Sequence, residues 1–154
     1  MKNTAASESR KSVKITLDED HSRFGIYAYQ PGEITIIRPN ESYKADNSSF
    51  GNQILKKEVL TNSLIIMPHC LISDWAPRNI DELTQQHFEL LPQRPPQILL
   101  LGTGATHRWP SAELLGSLTN QGIAVEVMDT AAACRTYAIL ASDGRDIGAA
   151  LLIE

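Results

Sequence analysis

Four consecutive aliphatic residues, Ile98-Leu99-Leu100-Leu101, run directly into Gly102-Thr103-Gly104, and no other stretch constrains the fold as much. A strand points successive side chains to opposite faces, so an unbroken apolar run is stable only where both faces are covered. Such strands belong to largely parallel sheets held between two layers. The residues that follow fit this arrangement. A helix is expected from about Pro110, with Gly122 placed as the left-handed residue that ends it. Ile123 to Met128 reads as a strand, and Thr130 to about Ala141 as a helix capped by Asp129 or Thr130. Ile147 to Ile153 reads as a closing strand, which makes the second half β-α-β-α-β.

The first half carries strand signals instead. Val13, Ile15 and Leu17 alternate, and Ile26-Tyr27 leads through Gln30-Pro31-Gly32-Glu33 into Ile34-Thr35-Ile36-Ile37. Proline presets φ and glycine accepts a positive φ, so Pro31-Gly32 predicts a hairpin. Ile54-Leu55 and Ser63 to Met67 extend this β-rich half. From Pro77 the period lengthens: Ile80, Leu83, His87 and Leu90 predict a helix capped by Asn79 and stopped at Pro92. Trp75 stands at the junction of the two patterns, suited to packing there or to a partner interface.

The chain has 154 residues, the size of one domain. Residues 1–12 are expected to be a flexible tail, being polar and of mixed charge, and residues 13–154 a single domain. Hydrophobic residues make up 42% and charged residues 21%, and no apolar run approaches bilayer length, so a protein that does not span a membrane is expected. The first residues show no secretory signal, and a reducing cytoplasm is the default compartment. A net charge of −4, from 14 basic and 18 acidic residues, opposes the basic footprint that nucleic acid requires.

Chemistry is expected where strands end at their carboxyl edge. Gly102, Thr103 and Gly104 form a turn that lets backbone or ligand approach closely. It is neither G-x-G-x-x-G nor a P-loop, because His107 stands where a third glycine would be needed and no Gly-Lys-Ser/Thr follows. The alternative is a tight structural turn. The second candidate is Asp129-Thr130 through Arg135-Thr136, which opens a helix. With Ala131, Cys134, Ala138 and Ala141 on the packed face, Arg135 is expected to be partly buried, either paired with Asp129 or facing a bound anion. The two segments should meet, since a right-handed crossover sets their strands side by side.

Cys70 and Cys134 lack any C-x-x-C partner and read as two buried, reduced thiols. His69 and Cys70 are adjacent on an expected strand and therefore point apart, His87 reads as a helix-surface residue, and His107 as a loop residue facing solvent or the same crevice. No metal and no cofactor is expected, and no catalytic constellation can be assembled from these residues.

Ile98 to Gly104, together with Gly122-Ile-Ala-Val-Glu-Val-Met-Asp-Thr-Ala-Ala-Ala-Cys-Arg-Thr-Tyr137, Asp143-Gly144-Arg145 and Ala149-Ala150-Leu151-Leu152, resembles the Mth-938-like family of uncharacterised proteins. The likeness covers most of the chain from about Val13. It implies an α/β, three-layer fold with a central mixed sheet, and kinship with mitochondrial respiratory complex I assembly factor 3. It implies a noncatalytic interaction or assembly protein with a protein partner, and no established reaction. The rival reading is a small-molecule or anion-binding domain, perhaps enzymatic, built from the seven residues Gly102, Thr103, Gly104, Asp129, Thr130, Arg135 and Thr136. One departure from the family pattern is Ala138, where asparagine usually follows Arg-Thr-Tyr.

Overall fold

The computed structural model describes residues 22–39 and 56–154. The expected flexible tail, the strand at Val13 to Leu17 and the Ile54-Leu55 segment lie outside these residues.

The Pro31-Gly32 pair does form a hairpin: β1 (Gly25–Gln30) pairs antiparallel with β2 (Glu33–Ile37), and Gly32 takes φ 85°. β3 (Lys57–Leu60) adds to β2, giving a three-stranded antiparallel sheet in the order β1-β2-β3. A second, mixed sheet holds the remaining strands. These are β4 (Leu64–Met67), β5 (Cys70–Ile72), β6 (Ile98–Gly102), β7 (Ala124–Met128) and β8 (Ile147–Leu151), in the order β5-β4-β8-β6-β7. β6 is parallel to both β7 and β8, and β4 runs antiparallel to β8.

The unbroken apolar run of β6 is explained by this second sheet. Leu100 faces a core shared with Ile26, Ile34 and Ile36 of the three-stranded sheet and with Tyr137 of helix α2 (Thr130–Ser142). Leu99 and Leu101 face the opposite core, with Trp75, Phe88, and Leu114 and Leu118 of helix α1 (Ala112–Asn120). The mixed sheet is thus the middle of three layers.

Both helices begin and end near the expected places for local reasons. α1 starts at Ala112, two residues after the expected Pro110, with Ser111 capping it by accepting from Leu114 N at 3.2 Å. At its other end Gly122 N bonds Thr119 O at 2.9 Å and Ile123 N bonds Leu118 O at 3.2 Å. This is the Schellman pair, with Gly122 at φ 81°. β8 stops at Leu151, two residues before its expected end at Ile153, because Leu152 N turns to Gly102 O and Ile153 N to the Ser63 hydroxyl.

The helix expected between Asn79 and Pro92 is instead two 3-10 turns, Ile80–Glu82 and Gln85–Phe88. Asn79 does cap, accepting from Asp81 N and Glu82 N at 3.0 and 3.3 Å. Leu83 then extends, and Thr84 restarts the chain with its own N–H donating to His87 Nδ1 at 3.0 Å. The Trp75 indole fixes the second turn by donating to His87 O at 2.8 Å and packing edge-on against Phe88. Trp75 itself is 2% exposed, so its work is packing at the junction. Among the described residues no helix is long and apolar enough to cross a membrane.

Candidate functional site

Parallel register sets Gly102 level with Met128 on one side and Leu151 on the other, so three segments converge at the carboxyl edge of β6. They are the glycine turn, the first turn of α2 and the residues after β8. The expected meeting of the glycine turn with the Asp129 segment is therefore observed. Thr103 N donates to Met128 O at 2.9 Å, and Thr130 N donates to Gly104 O at 2.9 Å. Gly104 N donates to the Thr130 hydroxyl at 2.9 Å, which in turn donates to Leu152 O at 2.7 Å. Thr130 is fully buried, and its single hydroxyl ties all three segments together.

The glycines are required by proximity. A Cβ on Gly102 would stand 3.0 Å from Thr130 Cα, from its Oγ1 and from Leu151 Cδ2. Gly104 has φ 97°, and a Cβ there would lie 2.9 Å from the carboxyl carbon of Glu154. Thr103 is also buried. Its hydroxyl donates to Thr106 O at 2.7 Å and accepts from Arg108 N at 3.0 Å, shaping the loop that follows.

Asp129 caps α2, its carboxylate accepting from Ala132 N at 2.8 Å. Arg135 does not behave as expected: it is exposed, and among the described residues it makes no ion pair with Asp129 or any other carboxylate. The buried face of α2 includes the expected Cys134, Ala138 and Ala141 and extends to Thr130, Ala133 and Tyr137, while Ala131 is only half-buried. Tyr137 reaches across to the three-stranded sheet, its hydroxyl donating to Phe24 O at 3.0 Å. Thr136 lies half-buried at the side, its hydroxyl 3.7 Å from Met128 Sδ. Ala138 is packed in the core.

Of the seven candidates, Gly102, Thr103, Gly104 and Thr130 thus form one network, Asp129 borders it, and Arg135 and Thr136 lie outside it. Gly104 and Thr130 bond each other, and the hydroxyls of Thr103 and Thr130 and the carboxylate of Asp129 bond neighbouring backbone groups. The electrostatics around them are acidic: Tyr29 has its phenol pKa raised first by burial and then by Cys134, Asp129 and Glu154. Cys134 is pushed up to about 12 by burial, with Arg135 opposing and Asp129 adding to the shift.

Cys70 is half-buried rather than buried, because β5 is a three-residue edge strand, and His69 sits in the turn before it rather than on a strand. His87, expected on a helix surface, is a half-buried acceptor against Trp75. Among the described residues no three of His, Cys, Asp and Glu are placed to hold a metal ion.

Sequence reasoning missed the loop beyond the glycine turn. Arg108 reaches both carboxylate oxygens of Asp81, at 2.8 and 3.2 Å, and the His107 and Trp109 rings lie 5.1 Å apart, tilted by 59°. The signal was the Trp109-Pro110 pair next to a strand-end turn.

The family described as a protein of unknown function (DUF498/DUF598) matches residues 45–152. The human protein named NADH dehydrogenase [ubiquinone] 1 alpha subcomplex assembly factor 3 is 34% identical over 129 residues, spanning 80% of this chain and 69% of that one. A crystal structure of a Bordetella parapertussis protein superposes with a TM-score of 0.66 at 26% identity, covering 86% of this chain and 98% of that one. A Bordetella pertussis protein solved by NMR and described as a Mth938-like domain shares the fold, with a TM-score of 0.61 at 23% identity over 91% and 92% of the two chains. The chain described above, with its three layers and its glycine turn locked to α2, therefore belongs to the DUF498/DUF598 family and has the Mth938-like fold.

Proposed function

We propose that this protein is a noncatalytic, protein-binding assembly factor, acting in the building of a respiratory NADH dehydrogenase. The observation that carries this reading is the 34% identity over 80% of the chain to a relative named for that role. The geometry supports it. The chemistry of the crevice, Thr103 and Thr130 with the glycine amides, serves to hold three segments in place and leaves its donors engaged. An anion at the glycine turn would also meet the carboxylates of Asp129 and Glu154, which border the turn, without a buried guanidinium to offset them. In this reading Gly102, Thr103, Gly104, Asp129 and Thr130 keep the carboxyl edge of the sheet rigid, and the partner is met outside them.

Deleting the gene in its own organism tests the proposal. Assembled NADH dehydrogenase on native gels should fall and partial complexes accumulate, both reversed by the wild-type gene. An unchanged amount of assembled enzyme would overturn the reading.

A further inference from the structure

Trp109 is 69% exposed, more than any other large apolar side chain among the described residues. A single exposed indole is unexceptional when its loop is loose. The loop that carries this one is tied down on both sides of it. The Thr103 hydroxyl bridges Thr106 O and Arg108 N, and the Arg108 guanidinium lies across both oxygens of Asp81. Pro110 restricts the backbone of Trp109 itself, and the His107 ring packs beside the indole. The entropy of ordering this loop is already spent in the free protein, which lowers the cost of presenting Trp109 to a partner.

The charges around the indole define what it can meet. Asp81 pairs with Arg108, and Glu113 lies exposed in the first turn of α1, four residues beyond Trp109. The Glu154 carboxylate rests against Gly104, near enough to Arg108 to help hold its proton. Two carboxylates, Asp81 and Glu154, thus act on one guanidinium, and that guanidinium is already committed to Asp81. An indole in an acidic setting favours a cation over its ring and an aliphatic contact at its edge.

We propose that the Trp109 loop is the docking point of this protein for a basic, aliphatic protein segment, whose Lys or Arg side chains meet the carboxylates and the indole face. The proposal rests on the protein-binding reading above and assigns it a surface. A synthetic peptide of Lys and Leu, and its Glu and Leu counterpart, test it with the full chain by fluorescence anisotropy. The Lys/Leu peptide should bind, more weakly as salt is raised, and the Glu/Leu peptide should not. Trp109→Ser should weaken binding about tenfold or more, the size expected of a hot-spot aromatic. Glu113→Gln should weaken it less, and Ile139→Ser, which removes a comparably exposed aliphatic on α2, should leave it unchanged. Equal affinity of the wild type and Trp109→Ser, or of the two peptides, would overturn the proposal. Dehydrogenase subunits that co-purify with tagged wild type and equally with Trp109→Ser would overturn this surface while leaving the assembly reading in place. Selective loss of those subunits from Trp109→Ser would support both.

Discussion

Cys134 shows what burial does to a reactive group. Its thiol lies fully buried between α2 and the mixed sheet, and desolvation carries its pKa from 9.0 to about 12. The thiolate is the nucleophile, so at neutral pH this side chain is an inert packing unit. Ellman's reagent at pH 8 should therefore modify Cys70 in the native protein and reach Cys134 only on unfolding; equal rates at the two thiols would contradict the packing described. The sign of the pH dependence follows from the same shift. Because the folded-state pKa is raised, the contribution to stability is complete below about pH 9 and is lost as pH climbs toward 12. Burial raises the Tyr137 phenol in the same direction, so alkaline denaturation should begin in that window. Arg135 is the residue whose environment was least legible. In a helix so rich in alanine, small side chains pack acceptably on several faces, and composition does not choose among them. The face that packs carries Tyr137, which is hydrogen-bonded to Phe24 O, 113 residues away in sequence.

Elements with local signals agree with the sequence, and elements that depend on distant partners depart from it. The hairpin at Pro31-Gly32, the caps Asn79, Ser111 and Asp129, and the Gly122 terminus are each set by chemistry within a few residues. The two 3-10 turns are not, because Trp75 reaches across to His87 O and Phe88 and holds the chain against the sheet in place of a continuous helix. The start of α2 is both local and tertiary, and Thr130 measures the second part. Thr130→Val keeps the volume but orphans Gly104 N and Leu152 O, both otherwise buried. At roughly 1–3 kcal/mol for each of the two unsatisfied groups, about 2–6 kcal/mol of stability should be lost. For a chain of this length that is a fall of about 4–24 °C in Tm, readable by calorimetry. Thr130→Ser, which keeps the hydroxyl, should recover most of it, and a Thr130→Val protein as stable as wild type would show that the network carries no weight.

At the scale of the molecule, β4, β6 and β8 are shared by two cores, so neither core can be lost alone. Leu100→Ala opens the side with α2 and Leu99→Ala the side with α1. Each should cost about 2–5 kcal/mol. Near-UV circular dichroism of Trp75, on one side of the sheet, and of Tyr137, on the other, should still report one coincident transition in both variants. Separate transitions would mean that the layers fold independently. Determined by the sequence alone were the β-rich first half, the β-α-β-α-β second half, the double-sided burial of β6 and the approach of the glycine turn to α2. All of these follow from periodicity, turn chemistry and the handedness of crossovers, which act over short stretches. Only the tertiary structure decided that Arg135 faces water, that the Thr130 hydroxyl ties the glycine turn to the residues after β8, and that Trp109 stands out on a pinned loop. Each of those outcomes depends on which distant groups the fold brings to a given donor, acceptor or apolar surface, and spacing along the chain does not encode it.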